Sequence, residues 1–342
     1  MASLPCGSDR IERFFWVFSD FVMNMSALIC SNTCPNDVPA DELYSFEQWL
    51  NFSEPEPELV RAGLNAMDAN PSQRELRAAA LWVLQLKQPD EKLTAMRALY
   101  RMGQNGQLLL KSHTDWRDNA VLQHDCPGRP ERPELIAATQ TLRRSMNSTE
   151  GRAIMVHALA HIEFNAINLA LDAMVRFADL SDDYYWDWWR VAAEEAYHFS
   201  LIQRHLRRLG AEYGDYPAHD GLWDMAERTQ HSFADRMAMV PRTLEARGLD
   251  ACPIMQEKFR QVGDEQAARI LDIILRDEIT HVALGHRWFI YACTQNQAEP
   301  IYTYRRLAEQ YHAPRVRPPF NWVARRAAGF FEEELSAWQT ES

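Results

Sequence analysis

The sequence predicts an all-α protein organised around a four-helix bundle, with further helices before and after it. Three observations carry this expectation. Glu195-Ala196-Tyr197-His198 and Glu278-Ile279-Thr280-His281 repeat one spacing, a glutamate and a histidine three residues apart, which places both side chains on one helix face. Each motif sits in an apolar stripe: steps of three and four from Glu195 reach Trp188, Val191, Ala192, Phe199, Ile202 and Leu206, and from Glu278 they reach Ala267, Leu271, Ile274, Val282, Gly285 and Phe289. Only 13 glycines and few alternating β-branched runs occur in 342 residues, which argues for helix throughout.

From the N-terminus, residues 14–30 are apolar, preceded by Arg10 and Arg13 and interrupted by Asp20, Asn24 and Ser26. They imitate a signal peptide, but no small-residue cleavage site follows cleanly. No stretch reaches the ~18 uninterrupted apolar residues of a membrane span. The segment is expected to be an amphipathic helix packed on the bundle. Residues 31–57, with Pro35, Pro39, Pro55 and Pro57, read as a linker containing a short helix. Helices are expected near 74–87, 91–102 and 134–146, several opened by Pro, Ser or Asp. The stripe Val156, Leu159, Ala160, Glu163, Ala166, Ile167 and Ala170 then defines the first bundle arm, residues 178–183 a polar turn, and the Glu195 stripe the second arm. Residues 210–221 are long enough, at ~33 Å for ten extended residues, to run the length of a bundle to the next hairpin. The third arm spans roughly 221–246, kinked or broken at Pro241 and ended by Arg247-Gly248-Leu249-Asp250; Pro253 and Gly263 fall in the connection to the fourth arm. Helices near 301–312 and 320–338 follow. The expected domains are a helical N-terminal region at 1–127, the bundle at 128–300 and C-terminal helices packed on it at 301–342.

Glu195 and Glu278 both point at the core, and lysine and arginine are missing from their stripes. A buried carboxylate needs a cation, hydrogen bonds or a raised pKa. Two further glutamates meet them. Glu163 precedes Glu195 by 32 residues and Glu245 precedes Glu278 by 33, which suggests two helix hairpins of one design. Residues equidistant from an antiparallel turn lie at one height, and Asp179, midway between Glu163 and Glu195, falls in the polar turn. Glu227 rivals Glu245 on the third arm, and the height argument favours Glu245. One glutamate from each of two helices and a Glu-x-x-His from each of two others is the ligand arrangement of ferritin-like di-iron and di-manganese carboxylate bundles. Four carboxylates and two divalent cations sum to zero charge, so such a site can be buried when it is filled.

Several blocks also resemble a known family. His157-Ala158-Leu159-Ala160-His161-Ile162-Glu163, residues 213–223 (YGDYPAHDGLW), residues 240–250 (VPRTLEARGLD) and Asp277-Glu278-Ile279-Thr280-His281-Val282 look like signature blocks of a bacterial family of ferritin-like proteins catalogued as a domain of unknown function. Gly128-Arg129-Pro130-Glu131-Arg132-Pro133, Phe320-Asn321 and Ala328-Gly329-Phe330 fit as well, and the resemblance covers roughly 128–335. It implies a ferritin-like bundle with Glu163, Glu195, His198, Glu245, Glu278 and His281 as metal ligands, and names no substrate. In resembling di-iron proteins a carboxylate just before the Glu-x-x-His reaches across to orient a ligand histidine, a role that falls here on Asp277 and Glu194. The aromatic cluster Tyr184, Tyr185, Trp186, Trp188 and Trp189 is expected to be core rather than a radical relay, and Tyr197 to point away from the ligand face. His157 and His161 are turned about 120° and 160° from Glu163, so they are expected to bond a neighbouring helix or residues 213–223 instead of its metal. His286 is off the ligand face, and His219 and His231 are read as loop and surface residues.

A formal net charge of −12 argues against a nucleic-acid partner, and the basic clusters at 143–144, 204–208 and 315–326 are read as solvated helix surface or contacts within the protein. Six cysteines without a Cys-x-x-Cys pair fit a reducing cytoplasm. The expected function is a di-metal centre, two Fe ions or one Mn and one Fe, that activates O2 to oxidise a small-molecule substrate, with no membrane partner and room for oligomerisation. Iron handling as a ferroxidase, hydroxylation of a tRNA base and a non-catalytic helical interaction protein are the rival functions.

Overall fold

The computed structural model of the chain describes residues 43–341 apart from 53–55, 70–73, 112, 117–118, 125 and 143. The expected helix at 14–30, most of the expected linker, and Cys6, Cys30 and Cys34 lie outside the described residues. All regular elements among the described residues are helical, and the fold divides into two compact units whose boundaries fall inside a helix, between Val156 and His157, and at residues 133–134 and 215–216.

Among the described residues the first unit comprises 43–133 and 157–215. It contains α1 (Phe46–Leu50), α2 (Glu58–Ala69), α3 (Leu76–Gln85), α4 (Pro89–Gln104), α5 (Ala120–His124), most of α6 (Thr149–Arg176) and α7 (Asp182–Arg208). α1 opens with a reciprocal cap in which the Gln48 amide donates to Ser45 Oγ and the Ser45 amide donates to Gln48 Oε1. Pro89 starts α4, where a missing amide proton costs nothing, followed by Asp90 and Glu91 at the positive end of the helix dipole.

α6 and α7 form the first hairpin. α6 is long and apolar enough to cross a membrane, yet 89% of its most apolar window is buried inside the protein, and Glu163, Asn165, Asn168 and Asp172 are buried along it. Its last carbonyls are taken up by side chains: Arg77 donates to the carbonyls of Met174 and Val175, Tyr184 to Ala173 and Tyr185 to Phe177. The crowded aromatics at the start of α7 are therefore core residues whose hydroxyls close a helix end. Asp179 takes a positive φ of 59° in the turn, at the expected midpoint.

Among the described residues the second unit comprises 134–156 and 216–341. It holds the first turns of α6, then α8 (Gly221–Arg228), α9 (Phe233–Met239), a π-helical segment π1 (Val240–Glu245), α10 (Ala246–Gln261), α11 (Glu265–Gln295), α12 (Pro300–Gln310), α13 (Trp322–Ala327) and α14 (Glu332–Glu341). Three expectations need correction here. Residues 247–250 do not end an arm: they lie inside α10, as does Pro253. Proline at 253 removes the amide that would bond the Leu249 carbonyl, and Asn321 Nδ2 donates to that oxygen instead at 3.2 Å, so the helix continues. The second hairpin turn is therefore Val262-Gly263-Asp264, with Gly263 at φ +75° and Asp264 capping α11 through the Ala267 amide.

No long helix forms at 134–146. Only residues 138–140 make a helical turn, because the preceding backbone pairs in extended form with Ala218: the Ile136 amide donates to the Ala218 carbonyl and the Ala218 amide to that of Glu134. Residues 320–338 likewise do not form one helix. Gly329 at φ +87° ends α13, its amide bonding the Arg326 carbonyl and the Phe330 amide that of Arg325, the double bond of a glycine-terminated helix.

Candidate metal centre

Three of the expected ligands meet in the first unit. Glu163 projects from α6 and Glu195 and His198 from α7, and they are 4%, 1% and 0% exposed. His198 Nδ1 lies 3.3 Å from Glu195 Oε2 and 3.4 Å from Glu163 Oε2, and one donor atom from each of the three falls within 4.8 Å of the others. Charged hydrogen bonds run at about 2.7–2.9 Å, so these contacts are long for a simple ion pair. They suit three donors that each sit about 2.1 Å from one shared cation. This buried carboxylate and histidine cluster is a donor set able to hold a metal ion.

In the second unit, Glu278 and His281 lie on the buried face of α11, with His281 Nδ1 3.6 Å from Glu278 Oε1. Glu245 is half-buried at the junction of π1 and α10. The midpoint of Glu245 and Glu278 falls between Gln261 and Val262, just before the observed turn at Val262-Gly263-Asp264. Glu227, the rival, is exposed and accepts from Trp223 Nε1 at 3.0 Å.

π1 follows from the sequence around Pro241. A proline ring clashes with the carbonyl four residues back in an α-helix, and a widened turn relieves the clash. Gly285 makes room for it: a Cβ there would stand 2.4 Å from Pro241 Cβ. The glycine on the Glu278 stripe is thus a site of close approach by the segment that carries Glu245.

Around these residues the remaining expectations divide. Glu194 accepts from Arg190 Nε at 2.8 Å, and Asp277 accepts from Arg276 at 2.8 and 2.9 Å. His157 Nε2 accepts from the Gly214 amide at 2.9 Å and His161 Nδ1 bonds the Tyr213 hydroxyl at 2.9 Å, the neighbours expected of them. Burial pushes the His157 imidazole down to about 4 and that of His219 down to about 3. Tyr197 turns from the cluster to donate to the Tyr44 carbonyl at 2.7 Å and to pack on Phe46 and Trp49 of α1. Arg207 pairs with Glu212 and Arg326 with Glu332 on the surface, as expected of basic clusters that serve the fold.

Buried cations escaped the sequence reasoning, Lys92 and Arg242 among them. Lys92 is fully buried, donates to Asn168 Oδ1 and to the Leu84 carbonyl, and faces the Phe164 ring; burial lowers its pKa to about 7. Arg242 is 1% exposed and paired with Glu334, 92 residues away. Neither has a local signal, since an arginine paired across such a distance looks like any helical arginine in sequence.

The family model described as "Protein of unknown function (DUF455)" matches residues 85–336. The chain belongs to this DUF455 family. An uncharacterized protein of Haemophilus influenzae is 46% identical over 222 residues, 63% of this chain and 77% of that relative. No solved structure matches the chain. The matched span includes all six expected ligands, while residues 1–84 lie outside it.

Proposed function

We propose that the chain is a ferritin-like di-metal carboxylate protein. In this reading Glu163, Glu195, His198, Glu245, Glu278 and His281 hold two iron ions, or one manganese and one iron, and the protein oxidises a small organic molecule with dioxygen. The observation that carries it is the buried Glu163, Glu195 and His198 cluster, whose donor types and spacing suit a divalent cation. Glu278 and His281 repeat the same chemistry on a second hairpin, formed by α10 and α11. When bound, the metal pair would supply the electrons for dioxygen reduction.

The protein's own part is charge, orientation and dryness. Four carboxylates balance two divalent ions, which offsets the desolvation cost of burying either set alone. Neutral histidines complete the set, and each must present a lone pair, so the tautomer is fixed by whatever bonds the other ring nitrogen. Glu194 and Asp277 are proposed to act there, alongside the arginines they bond. Cys126, Cys252 and Cys293 are in no disulfide among the described residues, which suits a reducing cytoplasm.

Elemental analysis of the purified full chain tests the reading, followed by anaerobic Fe(II) loading and measurement of oxygen uptake on exposure to air. Two metals per chain with Fe(II)-dependent uptake are the expected result. A chain that takes up no iron and consumes no oxygen overturns it.

A further inference from the structure

The proposed ligands of the second unit share an outer wall. Ala246, Ile279 and Val282 directly follow Glu245, Glu278 and His281 in the chain. Successive residues of an α-helix are turned by about 100°, so these three stand beside the ligand face rather than on it. All three pack in one apolar cluster with Ala324, Ala328, Phe330 and Leu335, which come from α13, the turn after it and α14. The C-terminal helices therefore lie against each segment that carries a proposed ligand of this unit.

Buried ion pairs fasten this wall. Arg242 of π1, three residues before Glu245, donates through Nη2 to both oxygens of Glu334 of α14 at 2.5 and 2.7 Å, and the two residues are 1% and 3% exposed. Its Nε donates to His286 Nδ1 of α11 at 3.1 Å. One guanidinium thus ties together the segment that carries Glu245, the helix that carries Glu278 and His281, and α14. A planar guanidinium held by a carboxylate and stacked on aromatic rings, here Tyr304, Phe289 and Phe330, is fixed in direction as well as distance. A second pair, Arg325 of α13 with Asp250 of α10, anchors the other end. Between them Gly329 lies flush on α11, where a Cβ would stand 3.3 Å from His286 Cδ2.

We propose that Arg242 and Glu334 are positioning residues of the metal centre, and that α13 and α14 form a strap that sets the spacing of Glu245 from Glu278 and His281. This assignment rests on the di-metal reading above, and under it metal affinity, not only stability, depends on the buried pair. Removing one partner of such a pair leaves an uncompensated buried charge and is strongly destabilising in any protein, whereas replacing both by apolar residues relieves that cost. Arg242→Met combined with Glu334→Leu therefore separates a positioning role from a purely stabilising one.

Titration of the metal-free full chain with cobalt(II), whose visible absorption reports coordination geometry, tests it alongside melting of the metal-free protein. The expected result is that the double variant melts close to the unmodified chain and well above Arg242→Met alone, yet binds cobalt about 10–100-fold more weakly, with changed visible bands. Glu334→Gln keeps an acceptor oxygen and removes the charge; it should weaken cobalt binding less, and it serves if the double variant does not fold. An unmodified chain that binds no cobalt overturns the di-metal reading and the strap together. Where the unmodified chain binds cobalt, equal affinity and spectrum in the double variant, or weaker binding only in variants whose metal-free form has lost stability, overturns the strap alone.

Discussion

Glu195 and Lys92 are both buried in the first unit and carry opposite consequences for substitution. Glu195→Ala removes one of three converging donors, and the expected result is loss of one or two metal ions per chain by elemental analysis, with Glu278→Ala behaving alike. Glu227→Ala is the matched control, because that carboxylate is exposed and bonds only Trp223 among the contacts described above, so its loading should equal that of the unmodified chain. Lys92 has the reverse sign. Its pKa falls from 10.5 to about 7 on folding, so between those values the unfolded chain binds a proton that the folded chain refuses. Stability therefore rises with pH across that window, and the penalty is fully present below pH 7. Lys92→Met should stabilise the protein by about 2–4 kcal/mol at pH 6, with the gain shrinking toward pH 10. Urea unfolding at both pH values measures it, and a gain independent of pH would mean that the lysine is not the titrating group.

At the scale of elements, the two hairpins differed in how plainly the sequence displayed them. The first could be read from its stripes and turn because nothing interrupts α6 or α7, and the turn lies where Asp179 predicts. The second was misread at its turn because local rules place a helix end near Gly248 and Pro253. Asn321, from another part of the chain, replaces the hydrogen bond that proline removes, and no rule of local sequence sees that contact. Asn321→Ser keeps an acceptor for the Ala324 amide but removes the Nδ2 group that reaches the Leu249 carbonyl, with an expected cost of about 1 kcal/mol. In a Pro253→Ala background, where a backbone amide is restored, the same change should cost less; equal costs in the two backgrounds would refute the substitution of one donor for the other. Gly285→Ala tests the neighbouring feature. The added methyl meets Pro241, and overpacking at a backbone contact costs about 1–3 kcal/mol. Because the displaced segment carries Glu245, metal retention on dialysis should fall along with melting temperature.

For the whole molecule, helical class and the carboxylate and histidine cluster of the first unit were legible because periodicity and the Glu-x-x-His spacing are local statements. The buried cations and the rerouted backbone at 134–146 were not, because their partners lie far away in sequence. The same burial shapes the response to acid. His157 in the first unit and His286 in the second are held neutral, with pKa values lowered from 6.5 to about 4, burial being the first cause in each and the Arg242 charge adding to it at His286. Between pH 6.5 and 4 the unfolded chain takes up protons at these residues and the folded chain does not, so stability falls as pH falls through that window. Each contributes about 2–3 kcal/mol by pH 4. The decline therefore draws on both units, and metal-free protein should show it too, which separates it from protonation of metal-bound ligands. His157→Gln keeps an acceptor for the Gly214 amide and removes the titration. Metal-free His157→Gln should lose less stability than the unmodified chain between pH 7 and pH 5 in urea unfolding, and an identical pH slope would show that the imidazole at 157 is not held neutral by the fold.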